Sequence, residues 1–156
     1  MARNDLSFEN AEILFRNFRG LENDFNEAGK RNFCVIVPDE IADELNDEGW
    51  NIRVLKPRDE GDTPRHYMQV KVSYKNIPPK IWLIRGRHKT LLDEDTIDEL
   101  DFADIENVDL IIRPYHWNTR SGASGIAGYV DKMYVTIQED VFANKYDFEE
   151  EELPFD

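Results

Sequence analysis

Rings and positive charges alternate along parts of this sequence. In VDLIIRPYHW (108–117), an extended backbone puts Leu110 and Ile112 on one side and Arg113, Tyr115 and Trp117 on the other. In HYMQVKVSY (66–74), Met68, Val70, Val72 and Tyr74 share one face, while Tyr67, Gln69, Lys71 and Ser73 share its opposite. Trp82 stands between Lys80 and Arg85 in KIWLIR. Such a surface suits an unpaired polynucleotide, because cations follow the phosphates and flat rings stack on exposed bases. Each stacked base contributes roughly 1–3 kcal/mol whatever its identity. A duplex hides its base faces, so the same rings would add little there. Core or rim packing competes for every ring, and Trp50, Tyr74 and Tyr134 are assigned to the core.

The charge distribution agrees with this chemistry although the total does not. The net charge of −14 argues against a polyanionic ligand. Along the chain, however, the charge is sorted. Acidic blocks at 38–49, 93–109 and 147–156 flank the stretch 51–92, which has ten cations and three anions. Arg53, Lys56, Arg58, Arg65, Lys71, Lys80, Arg85 and Arg87 belong to that stretch. A solvated sheet surface protected by lysines and arginines is the plainer alternative.

These side chains need strands to hold them. AEILFRNF and NFCVIV read as strands joined by a turn-rich stretch, and PDEIADELNDEG reads as a helix. In that helix Asp39 and Glu40 suit the N-terminal dipole, Ile41 and Leu45 share a face, and Gly49 supplies the stop. WNIRVLK (50–56), HYMQVKVSY and KIWLIR then read as three strands, followed by a short helix over DEDTIDEL (93–100). VDLIIRPYHW and AGYVDKMYVTIQ (127–138) read as the last two strands, joined by the polar loop NTRSGASG. Three strands, a helix and two strands suit an OB-fold, a five-stranded Greek-key barrel. Residues 1–49 would form an N-terminal β/α extension, although whether AEILFRNF or NFCVIV joins the barrel stays open. In that fold the loops 57–65 and 118–126 would frame the groove, adding Arg58, Arg65 and Arg120.

Other chemistries find little support. His66, His88 and His116 lie far apart, and no HExxH, CxxC or serine-nucleophile motif occurs. GIAG is too short to cradle a phosphate. The acids at 39–48 and 93–109 could imitate a two-metal nuclease site, but helices there would turn most of them to water. The expectation is therefore no enzymatic activity, no metal and no cofactor. The single cysteine, Cys34, sits in NFCVIV, where core packing is the natural reading. No run of about 18 apolar residues suggests a membrane span, and no apolar signal core opens the sequence, so a cytoplasmic location is expected.

The last residues, EEEELPFD, pose a separate question. Six of the final ten residues are acidic and none is basic, yet Leu153, Pro154 and Phe155 follow the acids. A self-repelling segment stays extended and cannot fold. An apolar tip on such a leash is available to a partner with a small apolar pocket and a basic rim. Domain organisation is accordingly expected as 1–140 for a nucleic-acid-binding OB-fold and 141–156 for a disordered acidic docking tail.

Glu151, Glu152, Leu153, Pro154 and Phe155 resemble the ending of bacterial single-stranded DNA-binding proteins. There, acids precede Ile or Leu, then Pro, then Phe. The sequence departs by one residue, since Asp156 follows Phe155 and moves the terminal carboxylate off the ring-bearing residue. The stretches LFRNFRG, GKRNFCV, DEGWNIRVLKPRDE and ADIENVDLIIRPYHW resemble single-stranded DNA-binding proteins of tailed bacteriophages and prophages. The resemblance implies an oligonucleotide-binding barrel without catalysis, frequent dimers or higher oligomers, and docking of replication, repair and recombination enzymes on the tail. It also implies a role in coating and protecting exposed strands in the cytoplasm of a bacterial host. The rival from another class is an interaction protein that mimics DNA and inhibits a host nucleic-acid enzyme. Nothing in the residues distinguishes DNA from RNA.

Overall fold

The computed structural model describes residues 5–138 apart from 25, 58 and 76. Arg58 and the whole tail segment 141–156, with Glu151, Glu152, Leu153, Pro154 and Phe155, therefore lie outside the described residues.

Two long strands organise the chain, β8 (Ile105–Asn118) and β9 (Ser124–Ile137), which pair antiparallel along their whole length. Their alternation sends Val108, Leu110 and Ile112 inward against Val130, Met133 and Val135, all 2% exposed or less. At the hairpin tip Thr119 and Ala123 exchange a backbone bond of 2.8 Å, and Gly122 takes φ +93°, which favours glycine. The first part of β9 runs parallel to β5 (Arg65–Val72) at Gly128 and Tyr129. Its second part runs parallel to β6 (Lys80–Arg85). Gly128 fits only as glycine: a Cβ there would meet Ile112 Cγ2 at 2.9 Å and Met68 Cε at 3.1 Å.

On its other side β5 pairs along seven residues with β3 (Arg31–Val37), and β3 pairs with β2 (Ile13–Asn17). β1 (Leu6–Phe8) pairs with β8. The hydrogen-bonded path is thus β1-β8-β9-β5-β3-β2. Its two ends belong to one stretch of chain, Leu6–Asn17, whose Ala11 N–H donates to Val108 O and whose Glu12 O accepts from Ile36 N–H. The architecture is mostly β, with one α-helix, α1 (Asp39–Glu48), and a short 3-10 helix (Ile97–Asp101) among the described residues.

Three elements differ from the sequence reading. WNIRVLK contributes only β4 (Arg53–Leu55), a three-residue strand on β5, while NFCVIV supplies the full-length partner. The cause is burial. Phe33, Val35 and Val37 are 0–1% exposed, whereas Val54 is 57% exposed with no further strand to cover it. β1, β2 and β3 are therefore part of the main sheet rather than an extension of it. DEDTIDEL forms a capped turn and then the 3-10 helix. Asp93 Oδ1 accepts from the N–H groups of Asp95 and Thr96, and Thr96 Oγ1 accepts from Asp93 N–H. Ile97 and Leu100, three apart, are then both fully buried, a spacing that the tighter helix aligns. Finally, HKTLL forms an additional strand, β7 (His88–Leu92), folded back on β6 through a two-residue turn with Gly86 at φ +61°.

α1 follows its sequence signals. Ala42 and Leu45 are buried, and the chain leaves through Gly49 at φ +115°, whose N–H and that of Trp50 bond Asn46 O and Leu45 O. Trp50 is 3% exposed, as its assignment to the core requires, and Gly49 O accepts from Ile126 N–H at 2.9 Å. The helix end is thereby fastened to the β8–β9 hairpin.

Candidate nucleic-acid interface

The outer face of β5, β8 and β9 carries the predicted mixture of rings and cations. Met68, Val70 and Val72 turn inward, which leaves Tyr67, Gln69 and Lys71 outside. On β8, Leu110 and Ile112 turn inward, and beyond them Tyr115 and Trp117 are 57% and 39% exposed. Register then brings distant residues together. Lys71 pairs with Tyr129 across β5–β9, and Arg113 pairs with the same Tyr129 across β8–β9.

Tyr129 is the centre of the resulting cluster. Lys71 Nζ and Arg113 Cζ each stand 5.9 Å from its ring centroid, and the Tyr115 ring meets it edge-on at 6.0 Å. Arg113 Nη1 is shielded from solvent and has no hydrogen-bond partner among the described residues. Trp117 extends the row toward the hairpin tip, with its indole against the bare α-carbon of Gly125.

Two grooves meet at this cluster. One, of about 570 Å³, runs between the end of α1 and the hairpin, past Asn46, Trp50 and Trp117, to Gln69 and Lys71. The other, of about 450 Å³, continues from Gln69 and Lys71 past Tyr129 to Asn26, Lys30 and Arg31. Its wall is the β2–β3 connection, which Asn26 fastens: its amide donates to Leu21 O, Glu27 O and Lys30 O and accepts from Asn32 Nδ2. Gln69 and Lys71 line both grooves, so together they make one channel across the sheet.

The remaining predicted site residues divide into groups. Lys71 and Trp117 line the channel, Arg113 and Tyr115 adjoin it through Tyr129, and Tyr67 lies farther along β5, opposite Arg53 of β4. Lys56 is exposed just beyond β4, and Arg120 is exposed at the hairpin tip. Lys80, Trp82, Arg85 and Arg87 stand apart on the β6–β7 hairpin, where Trp82 pairs with Tyr134 rather than with the cluster. One face of Trp82 already carries Lys89 Nζ, 4.3 Å from the ring centroid. Arg65 is committed elsewhere: its guanidinium makes two bonds to Glu12, at 2.6 and 3.0 Å. Of the two framing loops, 118–126 borders the first groove. The second groove is walled by the β2–β3 connection, and residues of 57–65 line a separate cleft beside β2.

Sequence reasoning missed Tyr129 and Phe15. Tyr129 was within reach, because equal counting back from the hairpin tip puts it opposite Arg113. Phe15 was not: alternation along β2 aims it at the core, yet it is 63% exposed.

The sequence matches the family model described as "Putative phage ssDNA-binding domain" over residues 1–153. The chain belongs to the phage single-stranded-DNA-binding domain family. No curated protein matches it. Among solved structures it is similar to the single-stranded DNA-binding protein from bacteriophage Enc34, with 14% identity and a TM-score of 0.52, covering 96% of this chain and 87% of that one. It is also similar to the same phage protein in complex with ssDNA, with 12% identity and a TM-score of 0.51, covering 87% of this chain and 88% of that one. At such identity the likeness concerns the fold.

Proposed function

We propose that this phage-family protein binds single-stranded DNA without sequence preference along the channel from Trp117 to Asn26. In this role it coats and protects exposed strands during phage DNA replication and recombination in the host cytoplasm. The observation that carries the reading is the cluster of Lys71, Arg113 and Tyr115 around the ring of Tyr129. It offers phosphate ligands and base-stacking surfaces side by side, and it includes no arrangement for catalysis. The ssDNA complex of the structurally similar Enc34 protein supports the same use of the fold. The bonding of Leu6–Asn17 to both β8 and β3 supports treating β1/β2, β3, β5, β9 and β8 as the staves of an OB-type barrel. The segment 141–156 is the proposed docking tail for replication and recombination enzymes, on the strength of its acids and its Leu-Pro-Phe ending.

Titration of labelled oligo-dT and of a duplex at two salt concentrations tests the reading. The expected result is preference for the single strand and an affinity whose logarithm falls by roughly 0.7 per phosphate neutralised. A protein that mimics DNA would ignore both oligonucleotides and bind a basic enzyme instead.

A further inference from the structure

Phe15 is held in a strained backbone conformation with its ring turned to the surface. Ile13 of β2 pairs with Val35 and Leu14 with Cys34, so regular alternation would send Phe15 inward beside Phe33. The register instead slips between Leu14 and Asn17, where β2 spends one residue more than β3. Phe15 takes φ +52°, one of two non-glycine residues with positive φ among those described. For an aromatic residue that backbone is strained, and strain of this kind gathers at binding sites. The bulge turns the ring out of the core, to 63% exposure, and sets it edge-on to Tyr67 at 6.2 Å. Bulges are a means of re-aiming a side chain.

The surroundings indicate what the ring faces. Phe15, Leu14, Leu55 and Pro57 line a mainly apolar cleft of about 610 Å³ between β2 and the end of β4, with Lys56 at its rim. Arg53 stands next to Tyr67 on β4. Arg65 also lines the cleft, but Glu12 neutralises it. The cleft thus has an apolar floor and an exposed ring, with Lys56 and Asp62 balancing each other in its lining. Through the edge-on contact of Phe15 with Tyr67 it adjoins the outer face of β5, which Gln69 and Lys71 carry on into the channel. Tyr67 lies four residues from Lys71, about 13 Å along the strand.

We infer that Phe15 is a base-stacking station, which takes one unstacked base of the same strand into the cleft between β2 and β4 and lengthens the binding path beyond Tyr67. The inference rests on the proposed single-strand binding at the Tyr129 cluster. A protein partner would also cover an apolar patch. Arg53 beside Tyr67, and the face of β5 that Tyr67 shares with Gln69 and Lys71, favour the nucleic acid.

Three variants, Phe15→Gly, Phe15→Leu and Phe15→Trp, are compared with the wild type in titrations of oligo-dT of about 16 nucleotides, the upper site size of one OB-fold. Phe15→Gly and Phe15→Leu are expected to weaken binding about 5- to 150-fold, the equivalent of one stacked base. The salt slope should stay the same, because no phosphate contact is lost. Phe15→Trp should bind as the wild type does. Phe15→Gly should melt no lower than the wild type, since glycine accepts φ +52° without strain. Wild-type affinity in Phe15→Gly would overturn the inference and leave the Tyr129 cluster standing, the outcome expected if a protein or a second copy covers the patch. Equal binding by Phe15→Leu and Phe15→Trp would also overturn it, by showing apolar filling rather than stacking. A lower melting temperature in Phe15→Gly would overturn it too, by making the ring structural. Failure of the wild type itself to bind any single strand would remove the underlying reading.

Discussion

The indole of Trp117 lies against Gly125, its cross-strand partner in the β8–β9 hairpin: a methyl group on that α-carbon would stand 2.6 Å from Cζ2 and 2.9 Å from Cε2. The glycine therefore sets the height of the ring above the sheet and its alignment with Tyr115.

Gly125→Ala is accordingly expected to lift the indole out of line. The ring is 39% exposed and free to swing, so stability should change by less than about 1 kcal/mol. Single-strand affinity should fall by up to the value of one stacked base, roughly 1–3 kcal/mol. Tryptophan fluorescence monitored during an oligo-dT titration reads the displacement, and thermal melting reads the stability. Unaltered affinity would place Trp117 outside the binding path.

Substitutions of Tyr129 and of its neighbour Arg113 should lose different things. Tyr129→Ala removes a stacking surface and should cost about 1–3 kcal/mol at an unchanged salt slope. Arg113→Ala removes a phosphate ligand and should lower the magnitude of the slope by about 0.7. Titrations over a series of salt concentrations separate the two. If both variants change only the slope, the ring is packing rather than contact.

Arg65, although cationic and close in sequence to Tyr67, should matter little for DNA. Its bidentate bond to Glu12 holds the Glu12 carboxyl below its ordinary range, and the arginine's charge is matched in turn. A carboxyl depressed in the folded state stabilises the protein above its unfolded value, and that gain disappears as pH falls through the folded one. Both side chains are about half exposed, so screening limits the pair to less than about 1 kcal/mol. Arg65→Ala should therefore cause a small loss of melting temperature at neutral pH that vanishes in acid, with no change in the salt slope of binding. A shallower slope would return Arg65 to the interface.

Removal of residues 147–156 takes away six acids that would compete with DNA for the basic channel. Single-strand binding should tighten, most visibly in dilute salt, since screening sets in beyond about 8 Å at physiological ionic strength. Capture of host replication enzymes should be lost in the same variant. Unaltered affinity together with intact capture would contradict both roles.

Much of the outward face proposed as the interface was legible in the sequence. The alternation in HYMQVKVSY and VDLIIRPYHW assigns Lys71, Tyr115 and Trp117 to outward faces, because a strand repeats every two residues and the core accepts only one side. The helix over PDEIADELNDEG, its glycine stop and the burial of Trp50 also follow from local pattern. Trp82 shows the limit of such reasoning. Its cationic neighbours in sequence are real, but its strand pairs with the far part of β9, and Lys89 occupies the ring.

Local sequence determined which residues face water on the regular strands β5 and β8, where the helix stops and where the hairpin turns, because these depend on backbone stereochemistry and short-range burial. Only the tertiary structure decided which outward faces adjoin. The pairing of β5 with β9 joins Lys71 to Tyr129, the full-length pairing of NFCVIV with β5 brings the N-terminal strands into the sheet, and one extra residue in β2 turns Phe15 outward. Pairing between distant strands is settled by competition for burial across the whole chain, and no short window of sequence contains that competition.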